Sequence, residues 1–272
     1  MYKDTNRIES FFHALMIQSK MLKIGSRKAD QDLRALLETH KTFENIYNSL
    51  NGPMLPFESG QICKGLARFR KPFTVLTIND DAFPDSLRNY ADATPVLYAM
   101  GDLELLMTKG IAVVGTRKLH DKEDIDEGRE IVQRLLNKDL TIVSGLAEGC
   151  DTLGHMYAIE NGGRTIAVLG TPLDKHYPKK NRSLQDKIAQ DHLVVSQYPI
   201  GIRTFGSYFA HRNTTTVTLA SEGVVVIRAD DKSGTQYAVR ECTKQKKPLY
   251  ALRNNLCQGY KWTEKFKPKR AN

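Results

Sequence analysis

No apolar run of about 18 residues occurs in this 272-residue chain and no signal-type leader opens it, so neither membrane insertion nor export is expected. The four cysteines, Cys63, Cys150, Cys242 and Cys257, form no C-x-x-C pair. That spacing argues against a zinc site and a disulfide framework and fits a reducing cytoplasm. The chain also lacks G-x-G-x-x-G, G-x-x-x-x-G-K-[ST], H-E-x-x-H and an ordered Ser-His-Asp set. Dinucleotide oxidoreductases, P-loop ATPases and the common proteases therefore have none of their machinery here. No catalytic residue, metal or cofactor is expected, and the protein reads as a binding protein rather than an enzyme. Excess acidic charge is missing from the second half. Residues 1–110 carry 14 Lys and Arg against 13 Asp and Glu, whereas residues 111–272 carry 26 against 18, within a net charge of +9. Such an imbalance favours a polyanionic partner, nucleic acid before membrane.

What is present is a regular alternation. Ile8, Phe11, Phe12, Leu15 and Met16 fall at helical spacing, a second helical stripe covers 29–37, and Gly25 marks the turn between them. Amides of such a turn can hold a DNA phosphate, although most only pack helices. Gly52, Pro53 and Pro56 break the helical region. Strands are expected at 73–78 and 96–99. From 110 onward, strands at 111–114, 140–143, 165–169, 193–196, 224–228 and 249–252 interleave with helices near 125–137, 152–161, 182–190, 211–220 and 235–245. Near-continuous Val and Ile runs predict strands buried on both faces, hence an α/β, doubly wound, mostly parallel sheet. The expected division is a small helical domain (1–65), the sheet domain (66–256) and a basic C-terminal tail (257–272).

Three of the strand ends are specific: Gly115-Thr116-Arg117, Ser144-Gly145-Leu146-Ala147-Glu148-Gly149-Cys150-Asp151 and Gly170-Thr171-Pro172-Leu173-Asp174. At the carboxyl edge of a parallel sheet, small turns entering helices suit an anion, phosphate above all. Arg117 presents there a planar donor fork that matches phosphate, or else a surface carboxylate. Lys175, Lys232 and Ser233-Gly234-Thr235 join the same edge, the last as an anion nest or an ordinary helix cap. The segment 201–213 mixes Arg203 and Arg212 with Phe205, Tyr208 and Phe209 on an expected extended loop. Cationic grooves with exposed rings hold single-stranded nucleic acid, while loop aromatics equally pin a loop to its core. Asp151 and His155, four apart at a helix start, fit an acid-base pair or, as the better reading, structural roles. His211 reads as a loop residue rather than a base.

Taken in order, G-T-R (115–117), S-G-L-A-x-G-x-D-x-x-x-H (144–155), V-L-G-x-x-L-D-x-x-Y-P-x-x-N (168–181), F-x-x-R-N (209–213) and S-G-T (233–235) resemble the DNA-processing protein A (DprA/Smf) family. The resemblance extends over roughly residues 75–252. It implies an extended Rossmann-like fold that binds single-stranded DNA, protects it and helps load a RecA-type recombinase, commonly as a homodimer. The small helical domain would correspond to that family's SAM-like or helix-hairpin-helix domain. Carried over, the implied DNA-binding residues are Gly115, Thr116, Arg117, Ser144, Gly145, Lys175, Arg203, Phe209, Arg212, Asn213, Lys232, Ser233, Gly234 and Thr235. Thr214 stands where the family usually has a further arginine, which weakens one phosphate contact. Two competitors share the fold: a nucleotide sensor, and a nucleoside-monophosphate phosphoribohydrolase, which would need a glutamate where Ala238 stands.

Overall fold

A computed structural model describes residues 4–51 and 59–271; the break expected at Gly52, Pro53 and Pro56 lies outside the described residues. The chain divides into two compact units, Met1–Met100 with Leu169–Lys175 and Val195–His211, and Gly101–Val168 with His176–Val194 and Arg212–Asn272.

The first unit opens with helices α1 (Thr5–Gln18), α2 (Arg27–His40), α3 (Phe43–Asn51) and α4 (Ser59–Arg68). The Asp4 carboxylate accepts from Asn6 N and the Ser26 hydroxyl from Ala29 N, so α1 and α2 begin on side-chain caps. Strand β1 (Thr74–Thr77), the single-turn helix α5 (Asp85–Arg88) and β2 (Val96–Gly101) follow, with β1 and β2 antiparallel in the register Thr74↔Ala99. The helices pack on this pair through specific contacts as well as apolar ones. Asn6 Oδ1 accepts from Val75 N at 2.8 Å, and the Arg34 guanidinium donates to the carbonyls of Leu87, Arg88, Tyr90 and Ala93. His13 is buried between Phe43, stacked at 4.2 Å, and Tyr98, whose hydroxyl lies 2.8 Å from Nδ1. Burial pushes the His13 imidazole down to about 3, so it is held neutral.

The second unit is a parallel sheet. Its strands are β3 (Gly110–Val114), β4 (Thr141–Ser144), β5 (Thr165–Leu169), β7 (Val224–Val226), β8 (Leu249–Ala251) and β9 (Lys269–Arg270), ordered β5-β4-β3-β7-β8-β9; β6 (Leu193–Ser196) precedes β7 in the chain. The connecting helices are α6 (Lys122–Leu136), α7 (Cys150–Glu160), α8 (Arg182–Asp191), α9 (Ser207–Leu219) and α10 (Thr235–Lys244). The buried residues of β3, β4 and β7 share a core with Ile131, Val132 and Leu135 of α6 and Ala158 of α7. The opposite face of β3, β7 and β8 packs on Val217 of α9 and on Ala238, Val239 and Cys242 of α10. Helices on both faces of a parallel sheet make the fold α/β and Rossmann-like, as the apolar runs imply.

Two expectations fail. Helix α9 begins at Ser207 rather than near 211, so Tyr208, Phe209, His211, Arg212 and Asn213 stand on a helix and not on an extended loop. The expected basic tail of 257–272 is not loose over its described residues, 257–271. After α11 (Arg253–Leu256), the segment folds into α12 (Lys261–Phe266) and β9, which pairs with β8 as Tyr250↔Lys269 and Ala251↔Arg270. Trp262 is 3% exposed, and its indole Nε1 donates to the Ala229 carbonyl at 3.1 Å. The Asp231 carboxylate accepts from Lys261 N and Trp262 N, satisfying amides at the start of α12. A single buried indole and a remote cap thus order a segment whose composition alone reads as solvated charge.

Candidate nucleic-acid interface

The registers Val114↔Val226 and Ser144↔Ala167 bring the carboxyl ends of the second unit's strands to one edge. At that edge the Gly115-Thr116-Arg117 turn is braced from both sides. Thr116 N donates to the Arg228 carbonyl at 2.7 Å, and Cys150 N donates to the Thr116 carbonyl at 3.1 Å. Gly149, at φ +77°, occupies backbone space that L side chains rarely enter, and a Cβ there would collide with the Thr116 and Arg117 carbonyls. A Cβ on Gly115 would run into the Cys150 thiol. These glycines therefore allow the close packing of the turn. The Arg117 side chain is exposed and makes no hydrogen bond or ion pair among the described residues.

The second turn is closed. The Ser144 hydroxyl, fully buried, donates to the Val113 carbonyl at 2.6 Å. Gly145 N and Ala147 N donate to Asp151 Oδ2 at 3.1 and 3.3 Å, so the chain's own carboxylate fills the amides that an outside anion would use. Arg212 is 6% exposed; its guanidinium lies against Gly145, where a Cβ would strike it, and Nη1 donates to the Val168 carbonyl at 2.6 Å. Burial raises the Asp151 pKa, and the Arg212 charge pulls against that shift. His155 is fully buried with Nδ1 2.6 Å from the Thr165 hydroxyl, and desolvation takes it down to about 3. Asp151 and His155 thus hold structure. Ser144 and Arg212 are buried in it and Gly145 is half-buried against them, whereas the resemblance offered all three as DNA contacts. The signal for this was the helix start itself, since a first-turn aspartate commonly serves the amides around it.

At the third turn of this unit, the Ser233 hydroxyl accepts from Thr235 N at 3.2 Å and bonds the Thr235 hydroxyl at 2.8 Å. Ser233 therefore behaves as a local cap, with Gly234 exposed and Thr235 buried. Lys232 is exposed, its backbone N donating to Asp230 Oδ1. Asn213 is half-buried.

In the first unit, Phe209 packs on Gly170, where a Cβ would come within 2.6 Å of the ring. Lys175 is half exposed, with its ammonium 3.3 Å from Asp174. Arg203 is exposed over the Phe205 ring, 5.7 Å from its centroid. His211 pairs with Asp30, Nε2 to Oδ2 at 2.9 Å, and both side chains are buried. Gly25, at φ +83°, faces the Tyr208 ring, so the turn between α1 and α2 packs helices. Sequence reasoning missed Gly149, Cys150 and Arg228 as the braces of the Arg117 turn, because nothing local marks a backbone contact made across strands.

Residues 74–265 match the family described as DNA recombination-mediator protein A. The chain belongs to this family. DNA processing protein DprA of Streptococcus pneumoniae is 38% identical over 194 residues, covering 71% of this chain and 68% of that protein. Protein Smf of Synechocystis is 36% identical over 224 residues, covering 79% of this chain and 53% of that protein. The chain therefore spans about half to two thirds of these relatives. The crystal structure of the Streptococcus pneumoniae protein superposes with a TM-score of 0.70 at 30% identity, covering 98% of this chain and 89% of the other. DNA processing protein A of Helicobacter pylori, whose structure is described for its single-stranded DNA binding mode, gives 0.63 at 28% identity over 73% of this chain and 88% of its own.

Proposed function

We propose that this DNA recombination-mediator family member binds single-stranded DNA through its phosphates, without cleaving it, and hands the strand to a RecA-type recombinase as a homodimer in the cytoplasm. The observation that carries the reading is Arg117: an exposed, unengaged guanidinium on a turn whose backbone is held by Arg228 and Cys150. A turn whose backbone is held before binding needs only its side chain ordered when a phosphate arrives. Lys232 is a further proposed contact in the same unit, where Arg212, Ser144, Gly145, Gly115 and Thr116 form the scaffold; in the other unit, taken by itself, the proposed contacts are Lys175, Arg203 and Phe209. Support for the strand class comes from family membership and from the Helicobacter pylori relative. Absence of turnover is supported by Asp151 and His155, whose polar atoms face protein. The phosphoribohydrolase alternative is disfavoured further, because Ala238 is buried in the apolar core.

Fluorescence anisotropy with labelled oligo-dT, a matched duplex and a panel of nucleotides tests the proposal. Oligo-dT should bind best, with an affinity that falls steeply as salt rises. Arg117→Ala should weaken it by about 1.5 to 3 kcal/mol, the range for a charge-assisted hydrogen bond. Equal affinity for duplex and oligo-dT, or full binding by Arg117→Ala, would overturn the reading.

A further inference from the structure

Phe205 is an apolar ring left half in water, 51% exposed, between the buried Ile202 and Tyr208. Beneath it stands a ladder of rings. Phe205 meets Tyr208 edge-on at 5.6 Å and 71°, and Tyr208 stacks on Tyr198 at 4.2 Å and 7°. Tyr208 and Tyr198 are buried, at 3% and 0% exposed. The ladder is locked by polar contacts: the Tyr198 hydroxyl donates to the Tyr208 carbonyl at 3.1 Å, and Tyr208 N donates to the Phe205 carbonyl at 3.1 Å. Gly25 also lies against the Tyr208 ring, where a Cβ would come within 2.7 Å of it. The buried rings fill the core, but core packing accounts only for them and not for the exposed ring they carry. Arg203 adds an exposed cation 5.7 Å from the Phe205 centroid.

We propose that Phe205 is a stacking platform for one nucleobase, with Arg203 supplying the cation for the adjoining phosphate. The proposal rests on the single-strand reading above and deepens it. A planar ring that takes a π-face, beside a guanidinium that takes an anion, selects a ligand carrying both, which a nucleotide unit of an unpaired strand does and a paired one does not. Because the ladder fixes the ring in place, stacking demands little new ordering of the protein. The exposed Tyr237 differs in kind, since its cation partner is Arg240 on the same helix, three residues on, an ordinary surface pair.

The test compares two labelled strands of equal length, oligo-dT and an abasic oligodeoxynucleotide, which share phosphates and differ in bases. The wild type should prefer oligo-dT. Phe205→Ala should weaken oligo-dT about tenfold and leave the abasic strand nearly unchanged, since stacking is worth roughly 1 to 3 kcal/mol per base and a tenfold change is about 1.4 kcal/mol. Phe205→Trp should keep the preference and Phe205→Leu should lose it, with circular dichroism confirming that each variant folds. Arg117→Ala should weaken both strands alike. Unchanged oligo-dT binding by Phe205→Ala, or equal losses on both strands, overturns the platform while the phosphate reading stands. A wild type that ignores both strands at low salt overturns the phosphate reading and the platform with it.

Discussion

Replacing Trp262 by alanine measures whether the last turn of the chain belongs to the core. Its side chain is 3% exposed and packs among Ala229, Ala238, Val239, Cys242, Leu249 and Ala251. Burying an aromatic of this size removes about 150 to 250 Å² from water, or roughly 4 to 6 kcal/mol at 25 cal/mol per Å², an upper bound because the unfolded chain already hides part of it. Removing the indole also deprives the Ala229 carbonyl of its Nε1 donor, adding about 1 kcal/mol. Partial collapse of the site returns some of this, and large-to-small core substitutions of aromatics cluster at about 3 to 5 kcal/mol. We therefore expect Trp262→Ala to cost about 4 kcal/mol. For a chain of this length that lowers the melting temperature by roughly 8 to 16 °C, at about 2 to 4 °C per kcal/mol. Differential scanning calorimetry reads the shift directly, and urea titration gives the free energy. The α12 capping residue supplies a second arm: Asp231→Ala leaves Lys261 N and Trp262 N without their acceptor and should cost about 1 kcal/mol. A Trp262→Ala protein that melts within 2 °C of the wild type would refute the integrated C-terminal segment and restore the loose basic tail.

Gly149→Ala should both destabilise the protein, by about 2 to 4 kcal/mol from its φ of +77° and the clash with the Arg117 turn, and weaken oligo-dT binding at temperatures where the variant is folded; normal binding would separate turn geometry from function. His13 and His155 titrate near 3 when folded against 6.5 when exposed, so the unfolded state takes up protons first and stability, complete above about pH 6.5, falls as pH drops toward 3. Each imidazole contributes about 1.4 kcal/mol per pH unit across that window, and His155→Gln should flatten the stability profile between pH 6 and pH 4.5 by that slope. Asp151→Ala strands two half-buried amides and the buried Arg212 charge, and should cost at least about 2 kcal/mol in urea denaturation without creating or abolishing any DNA cleavage. Neutralising Lys265, Lys267 and Lys269 together should reduce oligo-dT binding only modestly and chiefly at low salt, because these positions are exposed; a loss larger than that of Arg117→Ala would move the site to the C-terminal segment.

The sheet was legible because burial on both faces writes itself into composition: IAVV, TIAVL and LVV read as interior strands before any partner is known, and β5 and β6 fall at the expected residues. The place of Arg117, just past β3 at the carboxyl edge, was legible too, since a residue there has one edge to occupy. What composition cannot encode is which internal partner a polar group finds. Ser144, Gly145, Arg212 and Asp151 look alike as ligands for an anion or as ligands for one another, and only the fold, by setting Gly145 N 3.1 Å from Asp151 and Arg212 against Gly145, chose the second. The same holds for the C-terminal segment. Its lysines suggest solvated charge, but one tryptophan reaching Ala229 and one aspartate 30 residues earlier in the chain turn it into a helix and a strand. Local pattern fixes periodicity and burial, because each residue carries its own transfer free energy; pairings across distant residues depend on loop closure and on every other contact made at once, and so belong to the tertiary structure alone.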